Sequence, residues 1–348
     1  MNERDNPSMK YYLAPMEGLT GYIYRNAYHA CYHAMDKYFT PFLSPKANSK
    51  LSFRELNDIL PEHNQGMYVV PQILTNQAGD FIQTAKELQE YGYSEINLNL
   101  GCPSGTVVSK QKGAGFLGRP DSLDRFLDEV CGKMDEMGMA VSVKTRLGLI
   151  SPDEFTGLLE IYNRYPLKEL ILHPRVRTDY YKNTPNMPAF RGGFDGSRSP
   201  VCYNGDIFTI SDYETLCGDY PELDRVMLGR GIISNPGLLD RIAAGRNSGG
   251  PGTDKETLKR FHQMIYEGYR QIMSGDRNVL FKMKELWACM IQIFSDNGKY
   301  IKRIKKSQRL EEYETAAAAV FRDLAGPGYP GGCRIPHVLM AVSGTFCF

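Results

Sequence analysis

The 348-residue chain has no charge bias: 41 Lys and Arg stand against 40 Asp and Glu, a formal net charge of +1. Net charge therefore cannot hold a polyanionic partner, and any basic footprint has to be local. No apolar run approaches the roughly 18–20 residues that span a bilayer. The opening MNERDNPSMK is polar and of mixed charge, with no apolar stretch behind it. We expect no membrane association and a cytoplasmic location. The eight cysteines lie at 31, 102, 131, 202, 217, 289, 333 and 347, with no C-x-x-C pair among them. That scatter argues against a disulfide framework or a zinc site and for reducing surroundings, so no metal is expected.

What the chain does have is a recurring strand pattern. Apolar residues make up 42% and charged residues 23%, ordinary for a globular protein. The length suits one large domain plus a smaller one. Short β-rich runs occur at 11–15, 38–43, 67–74, 95–100, 140–145, 169–173, 200–203 and 225–228. Most are continuous hydrophobic stretches, as expected for parallel strands covered on both faces. Helical spacing lies between them, at 80–91, in a segment that Asp121 could cap, and in another that Ser151 or Asp153 could cap. Eight strands alternating with helices fit a (β/α)8 TIM barrel better than a doubly wound sheet.

In such a barrel, ligand residues sit at the C-terminal strand ends. Those ends carry Pro15-Met16-Glu17-Gly18, Gln72, Asn97 and Asn99 before Gly101-Cys102-Pro103, Lys144 with Arg146, His173 with Arg175, Asn204-Gly205-Asp206 and Gly229-Arg230-Gly231. Singly, each reads as a solvated loop residue; seven units converging on one rim read as a site. Asn-Gly-Asp and Gly-Arg-Gly after the last two strands suit a phosphate. Glycines let backbone N–H groups approach an anion, an apolar helix-like stretch (232–242) follows, and Arg230 can pair bidentately. Gly113–Gly118 matches G-x-G-x-x-G but does not directly follow a strand. It is therefore not a dinucleotide fingerprint and reads as a flexible active-site loop.

The motifs LAPMEGLTGYIYR (13–25), PQIL (71–74), INLNLGCPSGTV (96–107), KGAGFLGRP (112–120), VSVKTRLG (141–148), LHPRVRTDYY (172–181), YNGDI (203–207) and VMLGRGIISNPGLL (226–239) resemble the tRNA-dihydrouridine synthases, in that family's order. The resemblance implies an FMN-binding barrel followed by a helical RNA-binding domain, with NADPH as reductant and tRNA as substrate. By the same resemblance, Pro15, Met16 and Glu17 line the flavin ring, with Gln72 at its edge. Lys144 lies near N1 and O2 with His173 close by. Asn204, Gly205, Asp206, Gly229 and Arg230 hold the ribityl chain and phosphate, and Cys102 is the catalytic cysteine. Reducing uracil needs a proton at C5, and a thiol with a reference pKa near 8.5 can supply one. Two positions depart from the pattern: Pro174 stands where the family commonly has Gly, and Glu17 where Ala is commoner.

The expected organisation is an N-terminal extension (1–10), the barrel (11–245), a helical RNA-binding domain (254–325) and a disordered tail (326–348). Ser, Gly and Pro at 247–253 read as a linker. Helical spacing recurs at 255–273, 278–295 and 311–324. The densest positive segment spans 299–306, where Lys302, Arg303, Lys305 and Lys306 are the candidate RNA contacts. A monomer is expected. Two other readings are another FMN barrel acting on a free pyrimidine, and a non-catalytic RNA-binding protein on the same scaffold. The basic helical segment and Gly-Cys-Pro count against the first; intact Cys102, Lys144 and His173 count against the second.

Overall fold

The computed structural model describes residues 9–45, 50–244 and 254–324. The expected linker, the tail and most of the N-terminal extension lie outside them. The strands are β1 (Lys10–Leu13), β2 (Lys37–Phe39), β3 (Val69–Val70), β4 (Gln72–Ile73), β5 (Glu95–Leu100), β6 (Ala140–Gly148), β7 (Leu170–Val176), β8 (Val201–Tyr203) and β9 (Arg225–Leu228). They pair in parallel in the order β3-β2-β1-β9-β8-β7-β6-β5-β4. β3 and β4 are two halves of one extended segment on either side of Pro71. β3 pairs with β2 and β4 with β5, so the ends of the sheet meet there. Pro71 brings no N–H to the ladder, but its carbonyl accepts from Asn97 N at 2.9 Å. The eight expected strands thus form a barrel.

Continuous burial explains why the strands read as unbroken apolar runs: every residue of β5 and β7 is buried. The helices between them bury one stripe, as in Ala78–Glu90, where Phe81, Ala85 and Leu88 face inward. Two expected caps are corrected. The helix Pro120–Glu136 starts on Pro at its first position, and Asp121 sits in its first turn without capping it. Asp153 makes no side-chain cap on Glu154–Tyr162. Glu154 instead accepts from the N–H groups of Leu149, Ile150 and Ser151 at 2.8, 2.9 and 2.8 Å. The apolar stretch after Gly231 is also not one helix. It breaks at Asn235-Pro236 into Arg230–Ser234 and Leu238–Ala244, since proline cannot continue the hydrogen-bond ladder.

After the barrel come helices Lys255–Ile272, Asp276–Met290, Gly298–Lys306 and Leu310–Asp323. The first packs on the barrel helix Tyr22–Cys31, with Phe261 edge-on to Tyr24 and Tyr32 at 5.3 and 5.4 Å between ring centres. Trp287 donates its indole N–H to His262 Nε2 at 3.1 Å and Tyr313 Oη at 2.9 Å, tying three of these helices together. The two ends of the barrel differ in chemistry. At the N-terminal end, Lys37 bridges Glu95 and Glu169 at 3.0 and 2.7 Å, and Arg225 reaches Glu169 at 3.3 Å, so charges balance. At the C-terminal end they do not.

Candidate active site

Strand alternation builds this site. Residues two apart share a face, so Asn97 and Asn99 of β5, Lys144 and Arg146 of β6, and His173 and Arg175 of β7 form three adjacent polar pairs, all buried. The β5 pair belongs to a chain of amides. Asn97 donates to Ser142 Oγ (3.0 Å), Gln72 to Asn97 Oδ1 (2.8 Å), and Asn99 to Gln72 Oε1 (2.7 Å). Asn99 Oδ1 then accepts from Gly101 N (3.0 Å) and Cys102 N (2.9 Å), fixing the turn that carries the cysteine. Cys102 is 1% exposed, among Leu74 and Val107 with Phe42 against them. Its carbonyl accepts from Ala114 N at 3.0 Å.

That last bond corrects the expectation of a flexible loop at Gly113–Gly118. The segment is a 3-10 helix with residues 113–117 buried. Its glycines serve close packing: a Cβ on Gly115 would stand 2.8 Å from Val108 O, and Gly113, at φ +56°, would press on Cys102.

The β6 and β7 pairs concentrate positive charge. Arg146 donates from Nε to Gly101 O (2.8 Å) and from Nη1 to Val176 O (3.0 Å) and Tyr180 O (2.9 Å). Arg175 forks onto Asp206 at 3.0 and 2.7 Å and donates to His173 Nε2 at 3.0 Å, which puts the imidazole proton on Nδ1. Arg230 also pairs with Asp206. Burial, followed by the fields of Arg146, Arg175, Lys144 and Arg230, pushes His173 well below its usual range, so it is neutral. Burial and then Arg146 bring the Lys144 ammonium down to about 7.

These groups frame a pocket at the C-terminal rim, lined by Ala14, Pro15, Met16, Lys144, His173, Tyr181, Asn204, Gly205, Gly229 and Arg230. The β1 loop forms one wall, held by Met16 N donating to Thr20 Oγ1 at 2.7 Å and Arg25 Nη1 donating to Thr20 O at 3.0 Å. Asn204 is fixed by donating to Met227 O at 2.9 Å. A Cβ on Gly229 would lie 3.3 Å from that of Ala14, so bare backbone faces the cavity there. Four candidates do not line the pocket. Gln72 lies within the amide chain, Cys102 is buried beside Leu74 and Val107, Glu17 is paired with Arg54, and Asp206 sits between two arginines. Tyr181 was not singled out from the sequence. It forms a wall with the Arg146 and Arg230 guanidinium groups 5.1 and 4.6 Å from its ring centre. The basic quartet is elsewhere: Lys302, Arg303, Lys305 and Lys306 are all exposed on Gly298–Lys306.

The profile of the dihydrouridine synthase (Dus) family matches residues 12–323. The chain belongs to this family of oxidoreductases. It is 30% identical over 294 residues to the tRNA-dihydrouridine(16) synthase of Pseudomonas putida, covering 81% of this chain and 88% of that one. It is 28% identical over 282 residues to the "Probable tRNA-dihydrouridine synthase" of Staphylococcus aureus, covering 76% and 80%. Among solved structures, histamine dehydrogenase from Rhizobium sp. 4-9 superposes with a TM-score of 0.53 at 14% identity, over 75% of this chain and 50% of that one, a likeness of fold alone.

Proposed function

We propose that this dihydrouridine synthase reduces the 5,6 double bond of a uridine in tRNA, with FMN as resident cofactor, NADPH as its reductant and Cys102 as proton donor. The observation that carries this reading is the cationic rim pocket beside the Asn99-held Cys102 turn. Lys144, Arg146, Arg175 and Arg230 meet there around His173, with Asp206 as carboxylate partner of Arg175 and Arg230 alone. The residues present fit a flavin mononucleotide. Ala14, Pro15 and Met16 offer an apolar wall for a ring, and Gly205, Gly229 and Arg230 offer bare backbone and a guanidinium for a phosphate. Bound FMN, once reduced, would supply the hydride for C6 of the uracil.

The remaining work falls to the protein. Lys144 holds a proton that burial makes easy to lose, and an anionic ring beside it would keep that proton in place. Neutral His173, its Nε2 occupied by Arg175, can offer Nδ1–H but no charge. Cys102 Sγ–H would place the proton on C5, and the apolar residues around it exclude water that could compete.

The test separates the two half-reactions. Cys102→Ala should retain flavin and NADPH oxidation while losing about 10²–10⁴-fold in single-turnover dihydrouridine formation, the usual worth of a general acid. Dihydrouridine made at the wild-type rate by this variant would show that Cys102 donates no proton.

A further inference from the structure

Across the β1 loop from the rim pocket lies a second cavity, of about 300 Å³, bounded by Gly18, by Phe53, Arg54 and Asp58 of one barrel helix, and by Ile272 and Lys282 of the C-terminal helices. The two cavities share that loop: Met16 lines one and Gly18 the other. Two peptide steps of 3.8 Å put those Cα atoms no more than about 7.6 Å apart. The Glu17–Arg54 ion pair stands between them.

Three observations point to an occupant. Phe53 is 77% exposed and Ile272 46% exposed, and large apolar side chains left in water around a concavity mark a binding surface. Asp58 is only 4% exposed; its Oδ1 takes Tyr22 N at 2.7 Å and Arg25 Nη1 at 3.5 Å, while its Oδ2 takes no hydrogen bond from the described residues. A carboxylate on the cavity wall with one oxygen still free to accept favours a ligand that brings an N–H donor. Finally, Arg54 and Lys282 put two cations on the lining, ion-paired to Glu17 and Glu285, with N–H groups to spare for the phosphates of a strand passing the mouth. A flat ring to lie on Phe53, an amino group for Asp58 and a phosphate for the cations are together the parts of a nucleotide.

We propose that this cavity receives an unstacked nucleobase bearing an exocyclic amino group, from the tRNA strand beside the uridine that enters the rim pocket. The proposal rests on the substrate reading above. It makes Phe53 and Asp58 determinants of which uridine is chosen, since a neighbour without an amino group leaves Asp58 unmet.

The experiment measures affinity of the full-length wild type and Phe53→Ala for a tRNA transcript, and for the same tRNA with abasic sites placed singly along its single-stranded loops. Phe53 projects into water, so its loss should leave folding and flavin content unchanged. We expect Phe53→Ala to weaken tRNA binding by about 5- to 150-fold, the range found when an aromatic stacking on one base is truncated. One abasic position should cost the wild type a similar factor and cost the variant nothing further. Unchanged tRNA affinity in Phe53→Ala, or losses that multiply at every abasic position, would overturn the proposal. Normal dihydrouridine formation with a silent Phe53→Ala leaves the reaction standing and removes this subsite. The coupled loss without any dihydrouridine leaves the subsite standing and removes the reaction.

Discussion

At the residue scale, Lys144 is a cation held in surroundings that oppose its charge. With no anion beside it, burial and Arg146 hold its pKa at about 7 against 10.5 for an ordinary lysine. The sign follows from proton counting. Between pH 7 and 10.5 the unfolded chain keeps a proton that the folded one has released, so stability rises with pH across that window. Below pH 7 both states carry the proton and the full burial cost remains, at most about 5 kcal/mol. Lys144→Met removes that cost. In the flavin-free protein it should raise the melting temperature at pH 6 and lose the advantage progressively toward pH 10. A variant less stable than wild type at pH 6 would mean that Lys144 is already well compensated. Lys144, His173, Asn204 and Arg230 were legible as strand-end polar residues because β-strands bury alternate side chains inward. Where Glu17 and Gln72 turn was not legible. Their partners, Arg54 and Asn97, lie 37 and 25 residues away, and no local pattern encodes such a pairing.

At the element scale, the strands were read closely because burial on both faces leaves an unbroken apolar run. The Gly113–Gly118 segment was misread because glycine signals two opposite things: freedom in a loop, or room for close packing. Here it is packing. Gly115 lies against the Val108 backbone, which cannot swing aside as a side-chain tip could. Gly115→Ala should therefore lift the 3-10 helix from the 105–108 turn and loosen the Ala114 N–H bond to Cys102 O, at about 1–3 kcal/mol of stability. Alkylation mapped by mass spectrometry is the sharper readout. Cys102 should react slowly in the wild type and markedly faster in the variant. Reaction of wild-type Cys102 at the rate of an exposed thiol would contradict the packing described for this segment.

At the scale of the whole molecule, on the proposed function the barrel would supply the chemistry, and a net charge of +1 would leave RNA affinity to local patches. We propose the helix Gly298–Lys306 as such a patch. It buries Tyr300 and Ile304 against its neighbours while Lys302, Arg303, Lys305 and Lys306 face water. A helix anchored by one apolar edge presents its cations at fixed positions, which suits a phosphate backbone better than a free tail would. Each cation that meets a phosphate releases condensed counterions, so binding should weaken steeply with salt, with a logarithmic slope near 0.9 per contact on duplex. Replacing all four by alanine should lower tRNA affinity and flatten that slope by as much as about 3.6 units. Flavin content should stay unchanged, because none of the four touches the rim pocket. The salt titration also separates this surface from the Phe53 cavity: stacking carries no counterion term, so Phe53→Ala should shift the line without changing its slope. A quadruple variant with wild-type affinity and slope would move the RNA surface to another face of the protein.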